Sequence, residues 1–155
     1  MPLVTEQLKL PSGYGSPHRL LDWAPVEQRL IDSLHYWLAT TRRDGRPHVV
    51  PVDGMWLDGG CYFGGDPDSV HIRNLRRDGR AAVHLDDGES AVIVEGSAEW
   101  VTPSKALAQR LATAAKAKYG YPQSASSYLP GVWRLQPAKV LAWNTLYVDA
   151  TRFLF

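Results

Sequence analysis

Residues 36–63, YWLATTRRDGRPHVVPVDGMWLDGGCYF, are the part of this chain that determines its fold class. β-branched and aromatic residues come here in short runs, which is typical of β-strands. Asp44-Gly45 between the first two runs is a hairpin signal, and Asp58-Gly59-Gly60 makes a second tight turn. These residues therefore predict three consecutive antiparallel strands, at 36–41, 48–56 and 61–63.

The next segment, DPDSVHIRNLRRDGR at residues 66–80, carries the signals of a short helix. Two glycines before it interrupt the strand and allow a ligand to approach the backbone closely. Asp66 suits an N-cap and Pro67 a first helical position. We therefore predict a helix from this point to Arg77.

Further strand and helix patterns flank this block. Val26, Leu30 and Leu34 recur at helical spacing after Pro25, which suits a first helical position. Other predicted elements are strands at 80–86, 90–101, 131–135, 139–144 and 151–155, a helix opened by residues 102–104 and closed by Gly120 and Pro122, and an N-terminal arm or loop at 1–17. Many short strands with three inserted helices predict a mainly β fold, closed into a small barrel because closure removes exposed sheet edges.

Length and composition limit the class of protein. The chain has 155 residues, of which 45% are hydrophobic, and this fits a single domain, 1–155, with its own core. A formal net charge of +1 gives no overall basic field, so we expect neither a nucleic-acid nor a membrane partner. Cys61 is the single cysteine and the first residues lack a signal-peptide pattern, so we expect a cytoplasmic protein without disulfides.

The predicted helix start carries the sharpest chemical signal. Unpaired backbone N–H groups near Ser69 and Val70, together with the helix dipole, favour an anion there. Helical spacing puts Ser69, Arg73 and Arg76 on one side and His71 on another, so at most half of these groups can reach one phosphate. The alternative is a capped surface helix with solvated arginines, because two carboxylates precede it.

Neither a metal site nor a side-chain nucleophile is predicted, and no catalytic residue is identified. The five histidines include no H-E-x-x-H pair, and Cys61 has no partner at C-x-x-C spacing. No serine lies in a G-x-S-x-G motif. The six tryptophans could stack on a planar cofactor, although such rings more often fill cores and interfaces.

The order of short motifs in residues 30–101 resembles the pyridoxamine 5'-phosphate oxidase-like split barrels. It is carried by residues 36–63, by S-x-H-x-R-N-L at 69–75, and by the later VHL and VEGSAEWV. The resemblance implies a six-stranded antiparallel split β-barrel of the FMN-binding type. It also implies a homodimer with two cofactor sites between the subunits, and a cofactor that is FMN or, alternatively, the deazaflavin coenzyme F420.

The resemblance also implies which residues contact the cofactor. The ring would rest along the second strand, and the phosphate would meet Ser69 and His71. The implied cofactor-binding residues are His48, Val49, Val50, Pro51, Val52, Tyr62, Phe63, Ser69, His71, Arg73 and Asn74. This chain has Val70 and His71 where the commoner pattern is Arg and Lys, so we expect weaker or more pH-dependent phosphate binding.

Three functions are compatible with these patterns. The first is a flavin- or deazaflavin-dependent oxidoreductase that transfers a hydride to or from a small organic substrate, with the ring supplying the chemistry. The second is a non-catalytic protein that binds or carries flavin, deazaflavin or haem. The third is a barrel that has lost its ligand and serves as an interaction module, which the missing Arg-Lys pair favours.

Overall fold

The computed structural model describes residues 1–120 and 122–155, and eight strands and four helices follow one another within them. In chain order they are β1 (Val4–Gln7), α1 (Trp23–Asp32), β2 (His35–Thr41), β3 (Pro47–Leu57), β4 (Gly60–Phe63), α2 (Val70–Arg77), β5 (Arg80–His84), β6 (Val92–Val101), α3 (Lys105–Tyr119), β7 (Val132–Ala142), α4 (Leu146–Asp149) and β8 (Thr151–Leu154), with a short 3-10 helix at Ala125–Ser127. Among the described residues, no helix combines the length and the apolar character needed to span a membrane.

Six of the strands close into an antiparallel barrel. Neighbouring strands follow the order β7-β4-β3-β2-β5-β6, and β6 pairs with β7 to complete the ring. β8 pairs with the second half of β7, and β1 pairs with β8, so these two short strands lie outside the ring. The predicted six-stranded barrel is confirmed, with two flanking strands added.

The β2–β3 hairpin shows how local sequence builds the barrel wall. The Asp44 carboxylate accepts a hydrogen bond from the Arg46 N–H at 3.1 Å, and Gly45 has a φ of 84°, which glycine adopts without strain. Along β2, buried and half-buried residues alternate after the first position. This period of two is expected of a strand with one face in a core.

Two apolar clusters connect the elements. The larger cluster fills the barrel and includes Leu38, Phe63 and Val83. The smaller one packs α3 against the barrel and includes Tyr62 and Leu111. Because successive side chains of a strand point to opposite faces, Tyr62 lies under α3 while Phe63 lies inside the barrel.

Several predicted elements differ from the structure. α1 begins at Trp23, so Pro25 lies within its first turn, where a missing N–H costs no helical bond, and it ends at Asp32, before Leu34. The two strands predicted around Pro137 are one strand, β7, because Ala138 bulges out between the partners of Glu95 and Gly96 and absorbs the break. Within the predicted N-terminal arm, residues 4–7 form an edge strand, β1, that pairs with β8.

Candidate functional site

A cleft of about 570 Å³ opens beside β3, and we call it the β3 cleft. Residues 51–55 of β3 form one wall, and the chain from Phe63 to Gly65 forms another. His71 of α2 and Trp100 of β6 also line it, together with residues before and at the start of β7. Its size is within the range of small-molecule sites, about 300–1,000 Å³.

One edge of β3 is open next to this cleft. β3 has 11 residues, whereas β4 has 4 and pairs only with the end of β3, Gly54 to Leu57. Residues 47–53 therefore pair with β2 on one side only. Backbone N–H and C=O groups on the other side of this segment remain available to a ligand.

Gly65 lets the His71 ring lie directly against the backbone. A Cβ atom at Gly65 would stand 2.6 Å from Nε2 of His71 and 2.8 Å from Cγ1 of Ile72, both closer than real carbon contacts. A Cβ atom at Gly64 would meet nothing within 4 Å. The observed position of His71 thus requires glycine at 65 but not at 64.

Two histidines, His48 of β3 and His71 of α2, lie near each other, and we call them the histidine pair. Nδ1 of His48 and Nε2 of His71 are buried, and neither has a hydrogen-bond partner among the described residues. Burial lowers the pKa of His71, nearby His48 lowers it further, and a hydrogen bond with the Gly64 backbone opposes both. Burial, and then Arg42, lower the pKa of His48. Both rings are therefore uncharged at neutral pH, and each keeps an unused nitrogen.

α2 begins at Val70 with Ser69 as its N-cap, so the predicted start at Asp66 was wrong. Ser69 donates to the Asp66 carbonyl oxygen from its N–H at 2.9 Å and from Oγ at 2.7 Å. The Asp66 carboxylate accepts instead from the Asp68 N–H at 2.8 Å, closing a local turn. No side chain of residues 1–120 or 122–155 caps α2, so the N–H groups of its first turn remain available to an anion.

A second cleft, of about 970 Å³, lies between α2 and the β2–β3 hairpin, and we call it the arginine cleft. The α2 side is one helical face, with residues spaced i, i+3, i+4 and i+7. These residues are Val70, Arg73, Asn74 and Arg77, and the hairpin adds Arg42, Arg43, Asp44 and Arg46. Five arginines against one carboxylate make this cleft strongly basic.

The structure divides the predicted cofactor residues between the two clefts. Pro51, Val52, Phe63 and His71 line the β3 cleft, and Arg73 and Asn74 line the arginine cleft. The Asn74 side chain is buried, and its amide nitrogen donates to Thr40 Oγ1 at 3.0 Å. Arg76, predicted to share a side with Arg73, lines a separate groove with Ile72.

Strand alternation separates the remaining predicted residues. Val49 is 51% exposed on the outside of the barrel, whereas Val50 packs against the barrel core. Tyr62 is covered by α3, and the Arg134 guanidinium lies 5.8 Å from the centre of its ring. Five consecutive residues of β3 can therefore meet one planar ligand through their backbone but not through their side chains.

Sequence reasoning missed the hairpin arginines and did not single out Trp100 among the six tryptophans. Three arginines within residues 42–46 were available as a signal, but the segment was interpreted only as a turn. Trp100 is 54% exposed and meets Trp133 edge-on, with ring centroids 5.9 Å apart. Its place at the cleft depends on the closure of the barrel, which no local pattern contains.

Comparison with known proteins gives a family and a fold. Residues 25–144 match the family model described as Pyridoxamine 5'-phosphate oxidase. A conserved hypothetical protein from Mycobacterium tuberculosis is 24% identical with a TM-score of 0.68, over 83% of this chain and 88% of that one. An F420 reductase is 22% identical with a TM-score of 0.56, over 84% of this chain and 98% of that one.

A haem binding protein from Mycobacterium smegmatis also has this fold. It is 25% identical with a TM-score of 0.57, and the match covers 81% of this chain but 56% of that one. No curated protein matches the sequence.

Proposed function

The chain belongs to the pyridoxamine 5'-phosphate oxidase family, and from this we propose that it is an oxidoreductase that uses FMN or the deazaflavin coenzyme F420. Its substrate would be a small organic molecule that gains or loses a hydride. The observation that carries the proposal is the β3 cleft, with an open strand edge on one side and the unused nitrogen of His71 on another.

The residues present fit a flat ring with polar edges. Backbone groups of residues 47–53 can bond to the edge of such a ring, and Gly64 leaves room beside them. Nε2 of His71 is a buried polar atom that lacks a partner, and a buried polar group of this kind costs free energy until one arrives. The fold shared with an F420 reductase supports the deazaflavin form of the proposal.

A bound ring of this type supplies the hydride chemistry itself. The protein binds the ring, orients it and excludes water from one face. β3 would orient the ring through its backbone, and His71 would contribute a neutral hydrogen-bonding group. Trp100, at the other side of the cleft, offers an apolar wall to ring or substrate.

A parallel titration of apo-protein with FMN and with coenzyme F420 tests the proposal. We expect saturable binding of at least one of them at micromolar concentration, seen in the absorbance and fluorescence of the ring. The Gly64→Leu variant, which fills the open space of the cleft, should lose this binding, whereas Gly88→Leu, also built into open space but in a distant loop, should keep it. If the unaltered protein binds neither compound, the proposal is wrong.

A second candidate is a non-catalytic protein that binds or carries flavin, deazaflavin or haem. His71 is the candidate iron ligand, because a neutral imidazole nitrogen is a common haem-iron ligand, although its covered Nε2 would have to turn out from Gly65 to reach an iron. The fold shared with a haem binding protein supports this candidate as well. A Soret band on titration with haemin that is lost in His71→Gln, without any flavin or deazaflavin binding, would select haem over the oxidoreductase.

A further inference from the structure

Trp100 is held in place from two sides, although it is 54% exposed. It stands opposite Trp133 across the β6–β7 ladder, and the two rings meet edge-on. On another side its indole lies against the backbone of Gly131, where an added Cβ atom would collide with Cε2, Cζ2 and Nε1 of the ring. The φ of 143° at Gly131 is one that residues with a side chain rarely adopt. Both the backbone angle and the space at this position therefore require glycine.

The exposed part of this indole stands between two cavities. Trp100 lines the β3 cleft, and it also lines a neighbouring groove of about 640 Å³ together with Ile72 and Arg76. An exposed indole keeps a large apolar area in contact with water, so covering it with another apolar surface is favourable. Because the ring is already immobilised, a flat ligand that stacks on it has little further order to impose. Trp100 is thus a preformed surface for an aromatic ring.

The same wall of the β3 cleft carries hydrogen-bonding side chains that the fold does not use. Gln123 and Ser127 come from the chain between α3 and β7, and both line the cleft. Neither side chain has a hydrogen-bond partner within the described part of the chain. The amide of Gln123 and the hydroxyl of Ser127 each offer a donor and an acceptor. A ligand beside Trp100 can therefore be held by an uncharged polar group.

No cation lines the β3 cleft among the residues that the structure describes. Its charged member is Asp53, whose carboxylate lies 3.6 Å from the half-exposed His35. His71 is a neutral ring, since burial lowers its pKa. Arg76 lines the neighbouring groove instead. A carboxylate or phosphate on a ligand in the β3 cleft would therefore lose water without gaining a charged partner, which costs free energy.

We propose that Trp100 determines substrate specificity by stacking on the substrate, and that it selects a planar aromatic ring with an uncharged polar substituent. The cofactor ring would lie along the open edge of β3 and the substrate between that ring and Trp100, on the other side of the cleft. Gln123 and Ser127 would bind the polar substituent. This inference rests on the proposed function and names its substrate class.

The test measures binding to the protein saturated with whichever cofactor it holds, FMN or coenzyme F420. The probes are quinaldamide and quinaldate, which share one bicyclic aromatic ring and differ in a single group, an uncharged amide against a carboxylate. We expect titration calorimetry to show quinaldamide binding at least about tenfold more tightly, because the carboxylate meets no cation. The absorbance of the cofactor shows whether it stays bound during the titration.

Three variants locate the effect. Trp100→Ala should bind quinaldamide at least about tenfold more weakly than the unaltered protein, since it loses the stacking surface. Trp100→Phe keeps an aromatic ring and should recover part of the affinity. Tyr14→Ala removes an aromatic residue of similar exposure, 60%, from outside the cleft lining and should bind as before. The cofactor affinity and the thermal transition of each variant separate lost stacking from a damaged fold.

The outcomes separate this inference from the proposed function. Absence of quinaldamide binding, equal or tighter binding of quinaldate, or a Trp100→Ala variant that binds quinaldamide as before overturns the inference and leaves the function standing. Displacement of the cofactor by quinaldamide, or loss of cofactor binding in a folded Trp100→Ala variant, would put the indole in the cofactor's own site and also overturn the inference. If the unaltered protein binds neither FMN nor coenzyme F420, the proposed function is wrong and the inference is wrong with it.

Discussion

At the scale of single residues, Gly65 occupies the place where any side chain would collide with its neighbours. The nearest atoms are Nε2 of His71 and Cγ1 of Ile72. Ile72 is 1% exposed and belongs to the barrel core, so it has little room to move. The position of the His71 ring and the packing at the start of α2 both depend on the absence of a side chain at Gly65.

We expect Gly65→Ala to lower the free energy of unfolding by about 1–3 kcal/mol, the usual cost of forcing an extra group into packed surroundings. The matched control is Gly64→Ala, where the added methyl meets no atom within 4 Å and the change should stay within about 0.5 kcal/mol. Urea unfolding of the three proteins measures both values. Equal stability of the two variants would contradict the packing argument.

At the scale of elements, β3 and α2 each carry a partly buried histidine, His48 and His71, and burial of these rings makes stability depend on pH. In the unfolded chain both histidines titrate near pH 6.5. Burial lowers the pKa of each in the folded protein, so the folded state binds fewer protons than the unfolded state. The stabilisation is complete above the unfolded pKa and is lost as the pH falls through the folded values.

We therefore expect the free energy of unfolding to decrease between about pH 7 and pH 5, measured by urea denaturation at each pH. The His48→Gln/His71→Gln variant should show a flatter profile over this interval. Asp44, Asp58 and Asp78 have pKa values lowered by arginine partners, so their contribution lies at more acidic pH. A wild-type profile that rises toward pH 5 would show that the rings are not held neutral.

Elements with strong local signals were predictable, and those defined by distant contacts were not. The Asp44-Gly45 turn fixes the β2–β3 hairpin within a few residues. The start of α2 was misplaced because an aspartate followed by proline matches both a helix start and a turn, and the hydrogen bond from the Asp68 N–H selects the turn. β1 becomes a strand only by pairing with β8 near the other end of the chain.

At the scale of the whole molecule, the homodimer stays a prediction. The structure has one outward face of the barrel that could serve as its interface. Register places Val49 beside Ala39, and Pro51 beside Trp37, on the outside of the barrel. Trp37 in turn stands beside His84 and stacks on it at 6.3 Å. This mostly apolar face includes a residue that lines the β3 cleft, Pro51, so a second copy seated here would close the cleft.

We expect Val49→Glu to shift the protein toward monomer, because the substitution puts a charge in the centre of this face. Sedimentation velocity over a range of concentrations measures the change. Leu20→Glu is the control, since Leu20 is similarly exposed, at 46%, but precedes α1 on another part of the molecule. A wild-type protein that is monomeric at all concentrations would contradict the predicted dimer.

The sequence was enough to predict which elements form part of the candidate site, but not all of the residues that line it. The resemblance pointed to β3 and the start of α2, and both border the β3 cleft. The other wall comes from the end of β6 and from the chain leading into β7, which meet β3 only when the barrel closes. The amino acids at those positions give no local signal that they will lie next to β3.

Trp100 gives the molecule an optical reporter of its own. The indole is more than half exposed on the wall of the β3 cleft, while Trp23 and Trp56 are buried in the barrel core and Trp133 is buried beside Trp100. Indole emission responds to the polarity around it and passes its energy to a yellow chromophore that comes near. A ligand that binds beside Trp100 should therefore change the tryptophan fluorescence of the unlabelled protein, and a yellow ring should quench it.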